Sequence, residues 1–114
     1  MSISVHITLT VDAAKVEDFL KALAPTFEAV TADPLNTFFE VYRDPKTPGV
    51  FKLVENWDAS VEYMMNVQLK KDFYKTYNAA IEPMVLKPHV VEIYSRMPDN
   101  QWVSVRKGSY PGRD

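Results

Sequence analysis

The chain has 114 residues, with 13 Lys and Arg against 15 Asp and Glu, 46% hydrophobic residues and no cysteine. This length predicts one domain with a hydrophobic core, and the lack of cysteine excludes a disulfide framework and a cysteine nucleophile. A net charge of −2 argues against nucleic-acid binding, and no run reaches the 18 apolar residues of a membrane span. We therefore expect a soluble, cytoplasmic protein that binds neither nucleic acid nor membranes.

The N-terminal third predicts a strand followed by a helix. Residues 2–11 alternate apolar and polar side chains, which is the period of a β-strand. Asp12 is placed to cap a helix, and apolar residues then recur every three or four positions from Val16 to Val30. Pro25 lies inside this pattern and predicts a kink or local break, because proline removes a backbone donor.

Two further strands, a helix and a last strand follow. Residues 36–43 and 50–57 are rich in β-branched and aromatic residues, and the Pro- and Gly-containing residues 44–49 predict the loop that joins them as a hairpin. Asp58 or Ser60 can cap a second helix, and residues 88–96 predict the fourth strand. The second helix carries an apolar stripe of Val61, Met65, Leu69, Phe73, Tyr77, Ala80 and Met84, widened by Met64, Val67 and Tyr74.

The order β-α-β-β-α-β predicts a ferredoxin-like α+β fold over residues 1–96, with both helices on one face of a four-stranded antiparallel sheet. Phe38 and Phe39 point to opposite faces, so both faces of the sheet carry apolar area. Because such a patch usually marks an interface, we expect a homodimer with the sheets face to face. Residues 97–114 form a tail that either crosses to the partner through Trp102 or is disordered.

Motifs for nucleotide binding, serine hydrolysis and zinc hydrolysis are absent. The two histidines, His6 and His89, are far apart in the sequence and predict no metal site. His6 shares a strand face with Ser4, Thr8 and Thr10 and is interpreted either as a hydrogen-bonded interface residue or as a general base.

Aromatic and polar residues collect on the second helix and on the strands beneath it. Large aromatic rings with polar tips suit a pocket for a flat aromatic ligand, although the same residues can serve as packed core. The set comprises Trp57, Tyr63, Asn66, Gln68, Tyr74, Tyr77, Glu40, Tyr42 and Tyr94.

Two stretches of the chain carry a family resemblance. Residues 40–45 (EVYRDP) and 49–57 (GVFKLVENW) resemble the hairpin of the antibiotic biosynthesis monooxygenase (ABM) family, in which the third strand ends in Glu-x-Trp. Residues 67–74 (VQLKKDFY) are similar to fungal members. The resemblance covers about residues 3–96 and implies a dimeric α/β barrel. It also implies that O₂ oxygenates a polycyclic phenol, anthrone or quinol without a cofactor, as in oxidative tailoring of secondary metabolites.

The resemblance assigns Trp57 to the mouth of the pocket. Candidate catalytic residues are Trp57, Tyr74 and His6, and candidate substrate contacts are Tyr42, Tyr63, Asn66, Tyr77 and Glu40. Many family members carry a histidine on the second helix, whereas residues 64–69 here contain none. This departure argues against haem degradation and leaves the proton acceptor to His6, Glu40 or the acidity of the substrate. The alternatives are a non-catalytic binding dimer and, less favoured, a haem-binding protein.

Overall fold

The computed structural model describes residues 2–111, and it confirms the predicted fold class. Four strands form one antiparallel sheet in the order β2-β3-β1-β4, which is the ferredoxin-like arrangement. The elements are β1 Ile3–Thr10, α1 Val16–Thr31, β2 Asn36–Arg43, β3 Val50–Trp57, α2 Val61–Asn66, α3 Asp72–Ile81 and β4 Val90–Ser95.

Helix α1 runs through Pro25 without interruption, so a local break there is wrong, whereas a kink at Pro25 stays a prediction. The proline ring lies on the exposed side of the helix, where the lost hydrogen bond leaves a carbonyl that water can reach. On the inner side Phe19, Leu23 and Val30 are buried in the core and hold both halves of the helix against the sheet. Asp12 caps the turn before α1 as predicted, because its side chain accepts a hydrogen bond from the Ala14 amide at 2.9 Å.

The second predicted helix is in fact two helices joined by a 3₁₀ turn, Gln68–Lys70. Ser60 caps α2 by accepting from the Tyr63 amide, and Lys71, in an extended conformation, separates the turn from α3. The break changes which side chains point inward. Met65 and Leu69, expected on the buried stripe, are exposed, whereas Met64 and Gln68 are buried.

The strand register divides the sheet into a helix face and an open face. On the helix face, Ile3 of β1 pairs with Trp57 of β3, and Val5 pairs with Glu55. On the open face His6 pairs with Val54. Helices cover only part of the sheet, since every residue of β4 is exposed in the single chain.

The tail folds back against β2. The Arg96 amide continues the pairing of β4 with β1 by donating to the Ser2 carbonyl at 3.0 Å. Further along the tail, the Tyr110 ring meets the edge of Phe38 with a centroid distance of 5.6 Å. Trp102 is 86% exposed. Crossing of the tail to a partner stays a prediction, and residues 112–114 of the predicted tail lie outside the described part of the chain.

Gly49 locks the β2–β3 hairpin against the end of β1. The Val11 N–H donates to the Gly49 carbonyl at 2.8 Å. The φ of Gly49 is +90°. A Cβ at this position would collide with the Val11 carbonyl oxygen. We predict that Gly49→Ala lowers the free energy of unfolding by about 3 kcal/mol in urea titrations.

Gly108→Ala is the matched control, because its φ is also positive at +84° but the space around it is open. Backbone strain alone should cost about 1 kcal/mol there. Equal losses in the two variants would show that the contact with Val11 contributes nothing.

Candidate functional site

Trp57 ends β3 on the helix face, in the core between the sheet and the helices. Its side chain is 0% exposed and packs in a cluster with Ile3, Val5, Val30 and Met64. The rings of Tyr63 and Tyr74 are half-buried and pack against the same cluster. In the single chain the indole is therefore an interior wall, not the rim that the resemblance implies.

Glu55 shares this interior and was not among the candidate residues. It pairs across the sheet with Val5 and Phe39, and it is 7% exposed. The Trp57 Nε1–H donates to Glu55 Oε1 at 2.9 Å in a fully buried hydrogen bond. The sequence did carry a signal for this residue. Glu55 lies two positions from Leu53 and from Trp57, so it points to the same apolar face of the strand.

Burial changes the acidity of Glu55. Loss of hydration raises the pKa of its carboxyl from 4.5 to about 7, and the hydrogen bond from Trp57 opposes that rise only in part. A carboxyl with such a pKa exists in both protonation states near neutral pH. It can therefore accept a proton and release it again.

Gln68 and Tyr74 close the interior from the helix side. Gln68 is fully buried, and its Nε2 donates to Tyr74 Oη at 3.0 Å. Desolvation raises the pKa of Tyr74 to about 12, and the negative charges of Glu55 and Asp33 add to the effect. Tyr74 is therefore a neutral hydrogen-bonding group at physiological pH.

Two polar atoms in this region have no partner. Tyr77 Oη and Gln68 Oε1 are buried without a hydrogen bond among the described residues. Desolvation, followed by the charge of Glu55, raises the pKa of Tyr77, so its hydroxyl also stays protonated. An unsatisfied buried polar atom costs about 1–3 kcal/mol, and such atoms call for a functional explanation. We name Glu55, Trp57, Gln68, Tyr74 and Tyr77 the interior cluster.

The remaining candidates from the strands lie on the other side of the sheet. His6, Glu40 and Tyr42 occupy the open face, as the register with Val54 and Lys52 requires. His6 Nε2 lies 2.9 Å from Ser4 Oγ, and its ring is 5.0 Å from that of Tyr94. Because the sheet separates the two groups, these residues and the interior cluster cannot line one site within a chain.

The two candidate residues on α2 differ in their exposure. Tyr63 is half-buried beside the interior cluster, whereas Asn66 is exposed at the end of α2. Lys71 Nζ contacts Asp33 Oδ2 at 3.0 Å and ties the turn after α2 to the loop before β2. We call residues 61–71, whose Tyr63 and Met64 pack in the cluster with Trp57, the roof segment.

Two cavities lie elsewhere. One of about 1050 Å³ extends beneath the tail and is bordered by Phe38, Asn56 and Arg96. A second of about 620 Å³ lies at the edge of β2 between Phe27 and the tail. Neither is bordered by the interior cluster. Within residues 2–111, no group of three or more acidic or histidine side chains is arranged to bind a metal ion, and no helix is long and apolar enough to cross a membrane.

Comparison with known proteins supplies the family. The family described as “Antibiotic biosynthesis monooxygenase” matches residues 2–60. The protein GME11364 of Pestalotiopsis microspora, provisionally named a monooxygenase, is 64% identical over 104 residues, which is 91% of this chain and 87% of that protein. The chain belongs to the ABM family. The family resemblance read from the sequence is thereby confirmed.

Solved structures agree with this ABM assignment at the level of the fold. A protein of Caulobacter crescentus CB15, provisionally described as an antibiotic biosynthesis monooxygenase, superposes with a TM-score of 0.76 and 27% identity over 84% of this chain and 90% of that chain. One from Nitrosomonas europaea with the same description gives 0.77 and 18% identity over 86% and 92%.

The raised pKa of Glu55 makes the stability of this ABM protein depend on pH. The folded-state pKa lies above the unfolded value, so the contribution of Glu55 to stability is greatest below pH 4.5 and is lost as pH rises through about 7. Glu55→Gln keeps an acceptor for Trp57 but carries no charge. We predict that this variant gains about 3 kcal/mol over the wild type at pH 8 and little at pH 4.5.

Urea unfolding at both pH values measures this difference. Glu17→Gln, which removes an exposed carboxylate from α1, should change stability by less than about 0.5 kcal/mol at either pH. A Glu55→Gln variant that is equally destabilised at both pH values would show that Glu55 is not a strained buried acid.

Proposed function

We propose that the protein is a cofactor-independent monooxygenase that oxygenates a phenolic, polycyclic aromatic molecule of the anthrone or quinol type. The observation that carries this proposal is the interior cluster: a member of a monooxygenase family holds a buried acid, an unpaired tyrosine hydroxyl and an unpaired amide oxygen in its interior. Hydroxyl groups on a flat aromatic substrate would form hydrogen bonds with the two unpaired atoms.

The chemistry needs no electron donor besides the substrate. In an anthrone the ring methylene becomes a carbonyl, one oxygen atom of O₂ enters that carbonyl, and the other leaves as water with the two methylene hydrogens. The protein has to bind the ring, stabilise its deprotonated form with hydrogen-bond donors and exclude water. Tyr74 and Tyr77, whose pKa values are raised, are protonated donors suited to that task.

Substrate reaches this site by opening of the roof segment. Trp57 is closed off in the free chain, and the segment above it consists of a six-residue helix, a 3₁₀ turn and the extended Lys71. It is held at its ends by the Ser60 cap and the Lys71–Asp33 ion pair. Short elements with few tertiary contacts open at low free-energy cost.

Oxygen uptake with dithranol, a dihydroxyanthrone, tests the function, and turnover without added flavin, metal or haem is expected. Tyr77→Phe is the decisive variant because its hydroxyl bonds to no described residue. We predict that it leaves thermal stability unchanged or raised but lowers kcat/KM about 10-fold, the loss of one hydrogen bond to substrate.

Tyr110→Phe, which keeps the tail ring against Phe38, is the control and should turn over like the wild type. Saturable binding of dithranol without oxygen uptake would instead favour a non-catalytic binding protein. A stoichiometric Soret change on titration with haem would favour the haem-binding alternative.

The homodimer is part of this proposal. The open face carries Val54 and Tyr94 without a covering layer, and the tail touches this face at Phe38. An exposed apolar sheet face normally packs against a second layer. Pairing of two open faces about a two-fold axis would cover it, and His6 would then lie in the interface.

Light scattering coupled to size exclusion measures this assembly. We predict twice the 13.1 kDa chain mass for the wild type and a single chain for Val54→Lys, because a charge would be buried at the centre of the interface. Leu20→Lys, on the exposed side of α1, should stay dimeric. A monomeric wild type would contradict the assembly.

A further inference from the structure

In the ABM reaction proposed above the substrate loses a proton, and neither of the two residues expected to accept it lies in the interior. The second helical region has no histidine, and both His6 and Glu40 lie on the open face, behind the sheet from Trp57. Among residues 2–111, Glu55 is the only acidic side chain that is buried.

We infer that Glu55 is the catalytic proton acceptor, a role that rests on the proposed function. Its carboxyl is oriented for that role by one hydrogen bond. Trp57 Nε1–H fixes Oε1 at 2.9 Å, and Oε2 has no hydrogen-bond partner in the described chain. The free oxygen can therefore face a ligand while the bound one sets the direction of the carboxyl.

The surroundings of Glu55 supply the other contacts that a proton transfer needs. The charge of Glu55 contributes, after desolvation, to the raised pKa of both Tyr74 and Tyr77. The unpaired Tyr77 Oη can donate to the substrate oxygen that gains negative charge. The unpaired Gln68 Oε1 can accept from a neighbouring phenolic hydroxyl of the substrate.

The oxygenation needs no reactants besides the substrate, O₂ and the Glu55 carboxylate. Glu55 Oε2 takes a proton from the acidic methylene of the anthrone, and the C–H electron pair stays on the ring as an enolate. The enolate transfers its electrons to O₂ and forms a carbon–oxygen bond, giving a hydroperoxide after protonation by Glu55. Cleavage of the O–O bond with loss of water leaves the carbonyl, and Glu55 is again a carboxylate.

Burial allows the Glu55 carboxyl both to take the proton from the substrate and to return it. With a pKa of about 7, it is a stronger base than an exposed glutamate and remains half ionised at neutral pH. An exposed carboxylate, with a pKa near 4.5, would be a poorer acceptor for the same proton.

The test compares wild type, Glu55→Gln and the control Glu17→Gln in oxygen uptake with dithranol from pH 5 to 9. The wild-type rate should rise to a plateau with a midpoint near pH 7. Glu55→Gln should lose about 100-fold in kcat and lose that midpoint, while its Kd for dihydroxyanthraquinone, the product of the reaction, changes less than 3-fold. Glu17→Gln should retain both the rate and the midpoint.

A second variant serves if Glu55→Gln does not fold. Trp57→Phe removes the donor that lowers the pKa of Glu55, so the midpoint of the rate profile should move to higher pH. A purely structural role for Glu55 predicts no such movement.

The outcomes separate this role from the function on which it rests. A folded Glu55→Gln enzyme that turns over within 3-fold of wild type, or a Trp57→Phe midpoint that stays in place, overturns the role of Glu55 and leaves the monooxygenase intact. A wild type that consumes no oxygen overturns both.

Discussion

The hydrogen bond from Trp57 Nε1 to Glu55 Oε1 is the contact on which the interior of this protein depends. Both residues belong to one strand and point to the same face, two positions apart, so the strand period alone brings them together. Without this donor the buried carboxyl would face only Val5 and Phe39 across the sheet, and burying an unpaired charge is far costlier than burying a paired one.

The fold places this pair where helices can cover it. β3 lies inside the sheet between β2 and β1. Glu55 is therefore flanked by a paired strand on each side. The break between α2 and α3 then turns Gln68 inward, and its amide satisfies Tyr74 but leaves its own oxygen unpaired. A continuous helix with the predicted stripe would have placed Leu69 over the sheet instead. The interruption of the helix therefore adds the polar Gln68 to the interior.

Much of this architecture follows from local patterns. The bounds of β2 and β3 are those that their β-branched and aromatic runs predict, and the topology follows from element order. The break after Asn66 could not be predicted, because apolar spacing continues through Leu69 and Phe73. The inward position of Glu55 could be predicted from the alternation of side chains along β3. The grouping of Glu40 and Tyr42 with Trp57 was wrong, because the register with β3 decides which face of the sheet they occupy.

The most direct measurement is a ¹³C NMR titration of the Glu55 side-chain carboxyl, assigned by its absence from spectra of Glu55→Gln. We predict that the Glu55 carboxyl titrates with a midpoint of about 7. A midpoint near 4.5 for Glu55 would mean that water reaches the carboxyl in the folded protein, and the buried acid on which the mechanism relies would not exist.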